Sequence, residues 1–569
     1  MAKFNLYFPT ALLTYCLLCS FTALPDQRPD YNDTQENIGK NAIPSWVGAD
    51  DILDIEKYHR YIDAFNRWDK ESQLRKSDIS NDQTWDFLVQ NIPFFDCPDK
   101  QLERTYYFRW WTYRKHIKHT PDGYIVTEFY PNVSWAGLHN SICCPAAHHF
   151  MEGRWLKNPV YLSDYARFWM NGKSSPRQYS FWPADAITQF AYVHPHQELL
   201  KELFPKLENN FSEWQKSHQD STGLFWQIDG YDGMEVSISG SYNHSGGKGY
   251  RATINSYMYA ETKALAQMAQ HIGDKAKYKL YTQYAENLKT KINRELWDKN
   301  DDFYKVMPYG SKTLADVREL HGYTPWYFNI PPQEYACAWK FIMDTRHFFA
   351  PYGLTTAEQC HPLFRIDYTN HECQWNGPVW PYSTAIILTA MANLLNNYEQ
   401  NVVTPRDYYT LLTQYSKMHS IDLNGDGRQQ PWIDENMNPY TGDWIARTRL
   451  KTWKYGMGDE AKGEIERGKD YNHSTFNDLI ITGLIGLRPD ESNELTIHPL
   501  VSEKEWDYFC LDRVYYKGNK LTVLYDKYGT RYGKGKGFFV YLNGKIVATD
   551  SNICKKTIRV MTSTSPKTD

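Results

Sequence analysis

Two apolar periodicities divide this chain, and the switch between them constrains its fold more than any other feature. From about residue 51 to 490, apolar residues recur at the spacing of one helix face. The stretches 102–117, 161–170, 183–193, 197–218, 254–272, 275–296, 334–343, 379–397, 406–419 and 474–486 are predicted as helices. Several form antiparallel-looking pairs, joined by long loops rich in Trp, Gly and His. From Asn493 the period shortens to two. The segments 494–498, 514–516, 520–525, 537–542 and 545–549 alternate as strands, with turns at Lys517-Gly518-Asn519 and Asn543-Gly544 between them. The expectation is a mainly α chain, a large helical domain followed by a small antiparallel β domain. No short tandem repeat with a fixed period is visible, and capping repeats are not apparent, so paired helices fit a closed ring better than an open solenoid. The long loops of such a domain are where function is expected.

Composition narrows the class. At 569 residues, the chain has room for two to four domains. A net charge of −4 and a pI near 6.5 give no electrostatic footprint for nucleic acid. Mean hydropathy of −0.66 argues against a multi-span membrane protein. Aromatics make up 16% of the residues, with 20 Trp and 44 Tyr, which suits either a large core or carbohydrate-binding clefts. Lys3, the uncharged run 4–19 and the small residues Ser20, Thr22 and Ala23 have a signal-peptide layout, so a secreted, periplasmic or extracellular protein without an integral membrane span is expected. Eight cysteines remain after that segment, too dispersed for a disulfide scaffold and without a Cys-x-x-Cys pair for structural zinc. The expected division is 1–23 signal peptide, 24–100 lead-in and helices, 101–490 helical domain, 491–556 β-sandwich-like domain and 557–569 tail. Asn32, Asn132 and Asn210 stand in glycosylation sequons.

Residues 431–442 read Pro-Trp-Ile-Asp-Glu-Asn-Met-Asn-Pro-Tyr-Thr-Gly. Glu435 stands between Trp432 and Trp444 among turn formers, a pattern that suits a sugar site: rings stack on apolar pyranose faces, and a carboxylate holds a water or hydroxyl. A solvated turn acid is the plainer alternative. Two hundred residues upstream, Asp229-Gly-Tyr-Asp232-Gly233-Met234-Glu235-Val236-Ser237 lies in a glycine-rich loop that runs to Arg251. Apolar Met234 and Val236 flank Glu235, and burial among them would raise its pKa toward that of a general acid. Asp232 is a rival for that role. A third motif, His371-Glu372-Cys373-Gln374-Trp375-Asn376-Gly377-Pro378-Val379-Trp380, breaks the chain before an apolar helix, with Trp375 and Trp380 placed to wall a cleft. Adjacent His371, Glu372 and Cys373 are poor common ligands for one ion. Two further loops carry Trp182 with Asp185, and Glu319 with His321 and Trp326. Asp185 is placed to bind hydroxyls, although an arginine partner would serve it equally well.

The order of these motifs resembles the inverting glycosidases built on an (α/α)6 barrel: glycoside hydrolase family 63, including processing α-glucosidase, with mannosylglycerate hydrolase and trehalase as relatives. The resemblance covers roughly residues 100–490. Its most specific element is Glu-Asn-x-Asn-Pro-x-Thr-Gly, in which the family's catalytic base is the Glu, here Glu435. The family's general acid is the Asp of Gly-Met-Asp-Asn-Ser, and Glu235 occupies that position here, with Val236 in place of Asn. The family has Trp-Arg-Gly-Pro where this chain has Asn376 in place of Arg, so the pocket's grip on substrate is expected to differ. The resemblance implies a secreted exo-acting α-glycosidase acting on an oligosaccharide or glycan, with Glu235 as acid and Glu435 as base. Trp182, Asp185, Asp232, Arg251, His321, Trp326, Trp375, Asn376, Trp380, Trp432 and His473 are the expected substrate contacts. No cofactor is expected to be required. Asp422, Asn424 and Asp426 have the spacing of a calcium loop but lack its twelfth-position Glu, so a structural Ca2+ is an additional expectation. A retaining or furanosidase-type enzyme on the same barrel (acting on arabinose or rhamnose) and a non-catalytic sugar-binding protein stay open as alternatives.

Overall fold

Proline and acidic caps fix where the helices begin. Pro183, Pro325, Pro381 and Pro405 stand in the first turns of helices Pro183–Val193, Thr324–Tyr327, Pro381–Asn397 and Pro405–Met418, where a missing N–H costs no hydrogen bond. Asp99 caps Lys100–His116 by accepting the Leu102 amide at 3.0 Å, and Asp274 caps Lys275–Glu295 through the Lys277 amide at 3.0 Å. The computed structural model describes residues 50–69, 77–240, 247–369, 371–452 and 466–562. The expected signal segment 1–23, Asn32, Ser245, Gly246 and the end of the tail lie outside the described residues.

The helices form two layers. Lys100–His116, Ala252–His271 and Pro381–Asn397 are buried on nearly every face, as helices in an interior must be. By contrast, Lys275–Glu295 buries only Ala285, Leu288 and Ile292, and it lies along Ala252–His271. Contacts run from Lys100–His116 to Pro405–Met418, then to Pro381–Asn397, Thr324–Tyr327, Ala252–His271, Pro183–Val193 and Ala146–Gly153. Tyr113 Oη donates to the His149 carbonyl at 2.8 Å, joining the first of these helices to the last.

Helix Ala146–Gly153 escapes a periodicity search because every position is buried, including His148, His149 and Glu152. The expected helix 474–486 is instead a π-helical turn over Leu479–Leu484, and 334–343 is a 3-10 helix over Gln333–Phe341.

The C-terminal region is antiparallel. Strands Tyr508–Tyr516, Asn519–Asp526, Gly537–Leu542 and Lys545–Asp550 follow one another in a meander. Phe94–Asp96 pairs with residues 510–512 at its edge, so a strand from the expected lead-in belongs to this sheet. A second sheet joins Leu487–Arg488, Glu494–Ile497 and Lys556–Arg559, which makes the expected start of the tail a paired strand.

Buried titratable groups give this fold a pH signature. Burial raises the carboxyls of Glu128 and Glu235 to about 8, and those of Glu152, Asp185 and Asp434 to about 7. Burial also lowers His148 to about 3 and His149 and His194 to about 4. A raised carboxyl stabilises the fold most below its ordinary value and loses that contribution as pH climbs to the folded value; a lowered histidine acts oppositely, and only below about 6.5. Above pH 6.5 the histidines are neutral in both states, and the five carboxyls outnumber Lys157, whose ammonium burial lowers to about 8 and which acts in the opposite sense. Stability is expected to fall between pH 6.5 and 8.5. Thermal melts across that range check the direction, and a flat or rising melting temperature would contradict it.

Candidate functional site

Six described chain segments meet around one cavity of about 260 Å3, and four of them bring Glu128, Glu235, Glu372 and Glu435 to its lining. Glu435 sits in a turn fixed on both sides. Val379 and Met437 exchange amide–carbonyl bonds at 2.9 Å, and Asn436 accepts the Ile445 and Ala446 amides on its carbonyl and Oδ1. Asp434 accepts the Glu435 amide at 2.8 Å. Arg467 grips the Glu435 carboxylate in a fork, with Nε to Oε1 at 2.6 Å and Nη2 to Oε2 at 3.0 Å, while Nη1 reaches Glu372 at 3.2 Å. The Cys373 thiol donates to Glu435 Oε2 at 3.2 Å. The Arg467 guanidinium lies 5.2 Å from the ring centre of Trp135.

Glu235 is presented by the loop after strand Trp226–Ile228. Gly233 takes the left-handed conformation at φ 75°, and Val236 does so at φ 62°. A β-branched residue pays for that conformation in strain, and strain of this kind gathers at functional sites. Asp229 holds the loop closed by accepting from Ser237 Oγ at 3.1 Å, and any Cβ at Gly240 would collide with its carboxylate. The Glu235 carbonyl accepts the Trp375 amide at 3.0 Å, fastening the acid's loop to the third motif. Burial first, then the charges of Asp229, Glu435 and Glu372, lift Glu235 to about 8. Its side chain keeps some surface open to the cavity.

Glu128 is raised to about 8 by burial and then by Glu435 and Glu235, against the opposing hydrogen bond from Tyr471. Trp375 and Trp380 stack on each other with centroids 4.6 Å apart and planes 13° from parallel, forming an aromatic wall. His473 lines the same cavity. Burial, with Arg109 and His148 nearby, holds it neutral.

Of the residues singled out from sequence, Glu235, Glu435, Trp375, Trp380 and His473 meet at this cavity, and the other positions are corrected. Arg251 is fully buried on Asp232 at 3.0 Å, and Asp232 also accepts from Thr253, so this pair braces the glycine-rich loop from behind. Glu319 accepts from His321 at 2.9 Å and from Ser239. Burial pushes its carboxyl up, but His321 and Arg251 outweigh that and hold it at about 2. Trp182 stacks on Tyr257 at 4.0 Å, and Trp326 packs among Tyr304, Tyr323 and Trp339, both in the core. Asn376 is buried, its carbonyl accepting the Arg365 amide. Asp185 lines a separate cavity with Arg154 and Arg488, and Trp432 lines another with Asp69 and Arg447.

Asp422, Asn424 and Asp426 lie in an exposed turn. Asp422 accepts the Asp426 and Gly427 amides and Asp426 pairs with Arg428 at 2.6 Å, so the two carboxylates serve the turn itself. Sequence reasoning missed Glu128 and Arg467. Arg467 sits in a charged run (residues 459–470) that reads as a solvated surface, and Glu128 carries no motif.

Residues 139–474 match the family model described as the mannosylglycerate hydrolase MGH1-like glycoside hydrolase domain, and 487–548 match the C-terminal domain of glycosyl hydrolase family 65. A solved chain described as a sialidase is similar over 89% of this chain at 38% identity, with a TM-score of 0.81. This chain spans 45% of that one's length. A GH63 mannosylglycerate hydrolase from Thermus thermophilus, in complex with Tris, aligns at 13% identity over 61% of this chain and 98% of its own, with a TM-score of 0.44. A GH78 family rhamnosidase from a Bacillus species aligns at 11% identity over 77% of this chain and 40% of its own, with a TM-score of 0.48.

Proposed function

This chain belongs to the mannosylglycerate hydrolase MGH1-like glycoside hydrolase family, and from that premise we propose that it is an exported, exo-acting α-glycosidase that works with inversion of configuration. Glu235 is its general acid and Glu435 its general base. The observation that carries this reading is the pairing, around one cavity, of a carboxyl lifted to about 8 with a carboxylate held in an arginine fork.

In the proposed reaction Glu235 gives its proton to the glycosidic oxygen as the bond from the anomeric carbon breaks. Glu435 takes a proton from the water that forms the new bond on the opposite ring face. The Arg467 fork fixes which way the Glu435 oxygens point, and the Trp375–Trp380 wall takes the apolar face of the sugar ring. The cavity volume, below the roughly 300–1,000 Å3 of sites for drug-sized ligands, favours one terminal ring over a long glycan segment. The circuit of helices described above, with Tyr113 bonded to His149, is read as the inner wall of an (α/α)6 barrel.

Glu128 is the second candidate for the acid, because its carboxyl is raised equally and lines the same cavity. Incubation with a panel of α-linked oligosaccharides tests the exo reading. Release of single monosaccharides from non-reducing ends is expected. Internal fragments would contradict exo action, and binding without hydrolysis across the panel would contradict catalysis.

A further inference from the structure

The charged groups of the cavity restrict which sugars it accepts. Its described lining holds four carboxyl groups, Glu128, Glu235, Glu372 and Glu435, and one guanidinium, Arg467. All three nitrogens of that guanidinium are engaged: Nε and Nη2 on Glu435, Nη1 on Glu372, with Nη2 also 3.7 Å from the Cys373 sulfur. Arg467 is 2% exposed, so water screens its charge little. His473 faces the cavity as a neutral ring. His371 also lines the cavity, with its Nδ1 taken by the Cys373 amide at 3.0 Å. Among the described lining residues, a carboxylate-bearing ring would therefore meet the charged carboxylates of Glu372 and Glu435 with Arg467 already engaged, and like-charge contact in a desolvated site is strongly unfavourable.

We infer that the ring bound in this cavity carries no negative charge: a neutral hexose, pentose or deoxyhexose fits, and uronic and sialic acids are rejected because Glu372 and Glu435 have already claimed Arg467. The inference rests on the cavity being the sugar site of the proposed glycosidase. It assigns Glu372 a role as a specificity determinant, held 3.2 Å from Arg467 and otherwise unused by the proposed reaction.

Calorimetric titration of the full chain with free monosaccharides, neutral sugars beside the uronic acids of the same configuration and sialic acid, tests it without requiring turnover. At least one neutral sugar is expected to bind ten-fold or more tightly than its uronic acid. In Glu372→Gln, which releases Arg467 Nη1 and removes one negative charge, that ratio is expected to shrink at least three-fold. Equal or tighter binding of a uronic or sialic acid by the wild type would overturn the inference, as would a ratio left unchanged by Glu372→Gln. If that variant does not fold, the wild-type ratio alone decides. If no sugar of either kind binds, the reading of the cavity as a sugar site is what fails.

Discussion

Replacing Glu435 by Gln is expected to lower kcat/KM about a thousandfold or more on any substrate the enzyme hydrolyses. The amide keeps the shape of the carboxylate but does not accept a proton from water, so the nucleophile loses its base. The same change strips Arg467 of its forked partner, leaving Glu372 at 3.2 Å as its remaining carboxylate. Breaking one side of a buried ion pair costs on the order of 3–5 kcal/mol, so the variant is expected to melt earlier as well as turn over slowly. Circular dichroism and a melting curve on the same preparation separate the two effects. A folded Glu435→Gln protein with near-normal kcat would remove Glu435 from the mechanism.

Glu235→Gln is expected to move activity and stability in opposite directions. An acid is needed in proportion to how poor the leaving group is, so alkyl glycosides should lose about 10²–10⁴-fold in rate while glycosides with strongly activated aryl leaving groups lose far less. With the acid protonated below about 8 in the wild type, activity should fall as pH rises through that value, and this alkaline limb should disappear in the variant. Stability should rise above neutral pH, because the amide removes a buried group that resists ionising there. If Glu235→Gln loses rate equally on every leaving group while Glu128→Gln shows the graded pattern, the acid is Glu128.

The chain's helical character, its C-terminal strands and the placing of Glu235 and Glu435 at one cavity were legible in the sequence, because each depends on spacing or on a short motif. The periodicity of Gln197–His218 predicts its helix to the residue, since one face is buried and the other solvated. Strand Phe94–Asp96 has three residues, all buried, and pairs more than four hundred positions away, so its neighbourhood in the chain holds no sign of its partner. The site residues divide the same way. Trp375 and Trp380 flank a chain break that aims them at the cavity, whereas Trp182 and Trp326 have the same local look and stack into the core instead. Asp232 and Arg251 are nineteen positions apart and satisfy each other, a pairing that no local pattern in the sequence marks. Arg467 reaches Glu435 across 32 residues from a run of charges that looks solvated, so its chemistry was invisible until its partner was in place.

The central claim is that Glu235 and Glu435 act from opposite faces of one bound ring, a proton donor on one and a water activator on the other. Proton NMR of the first-formed sugar, recorded before mutarotation, tests this most directly. An α-linked substrate should release the β-anomer as its initial product; initial appearance of the α-anomer would mean a covalent intermediate and contradict the assignment of Glu435 as a base acting on water.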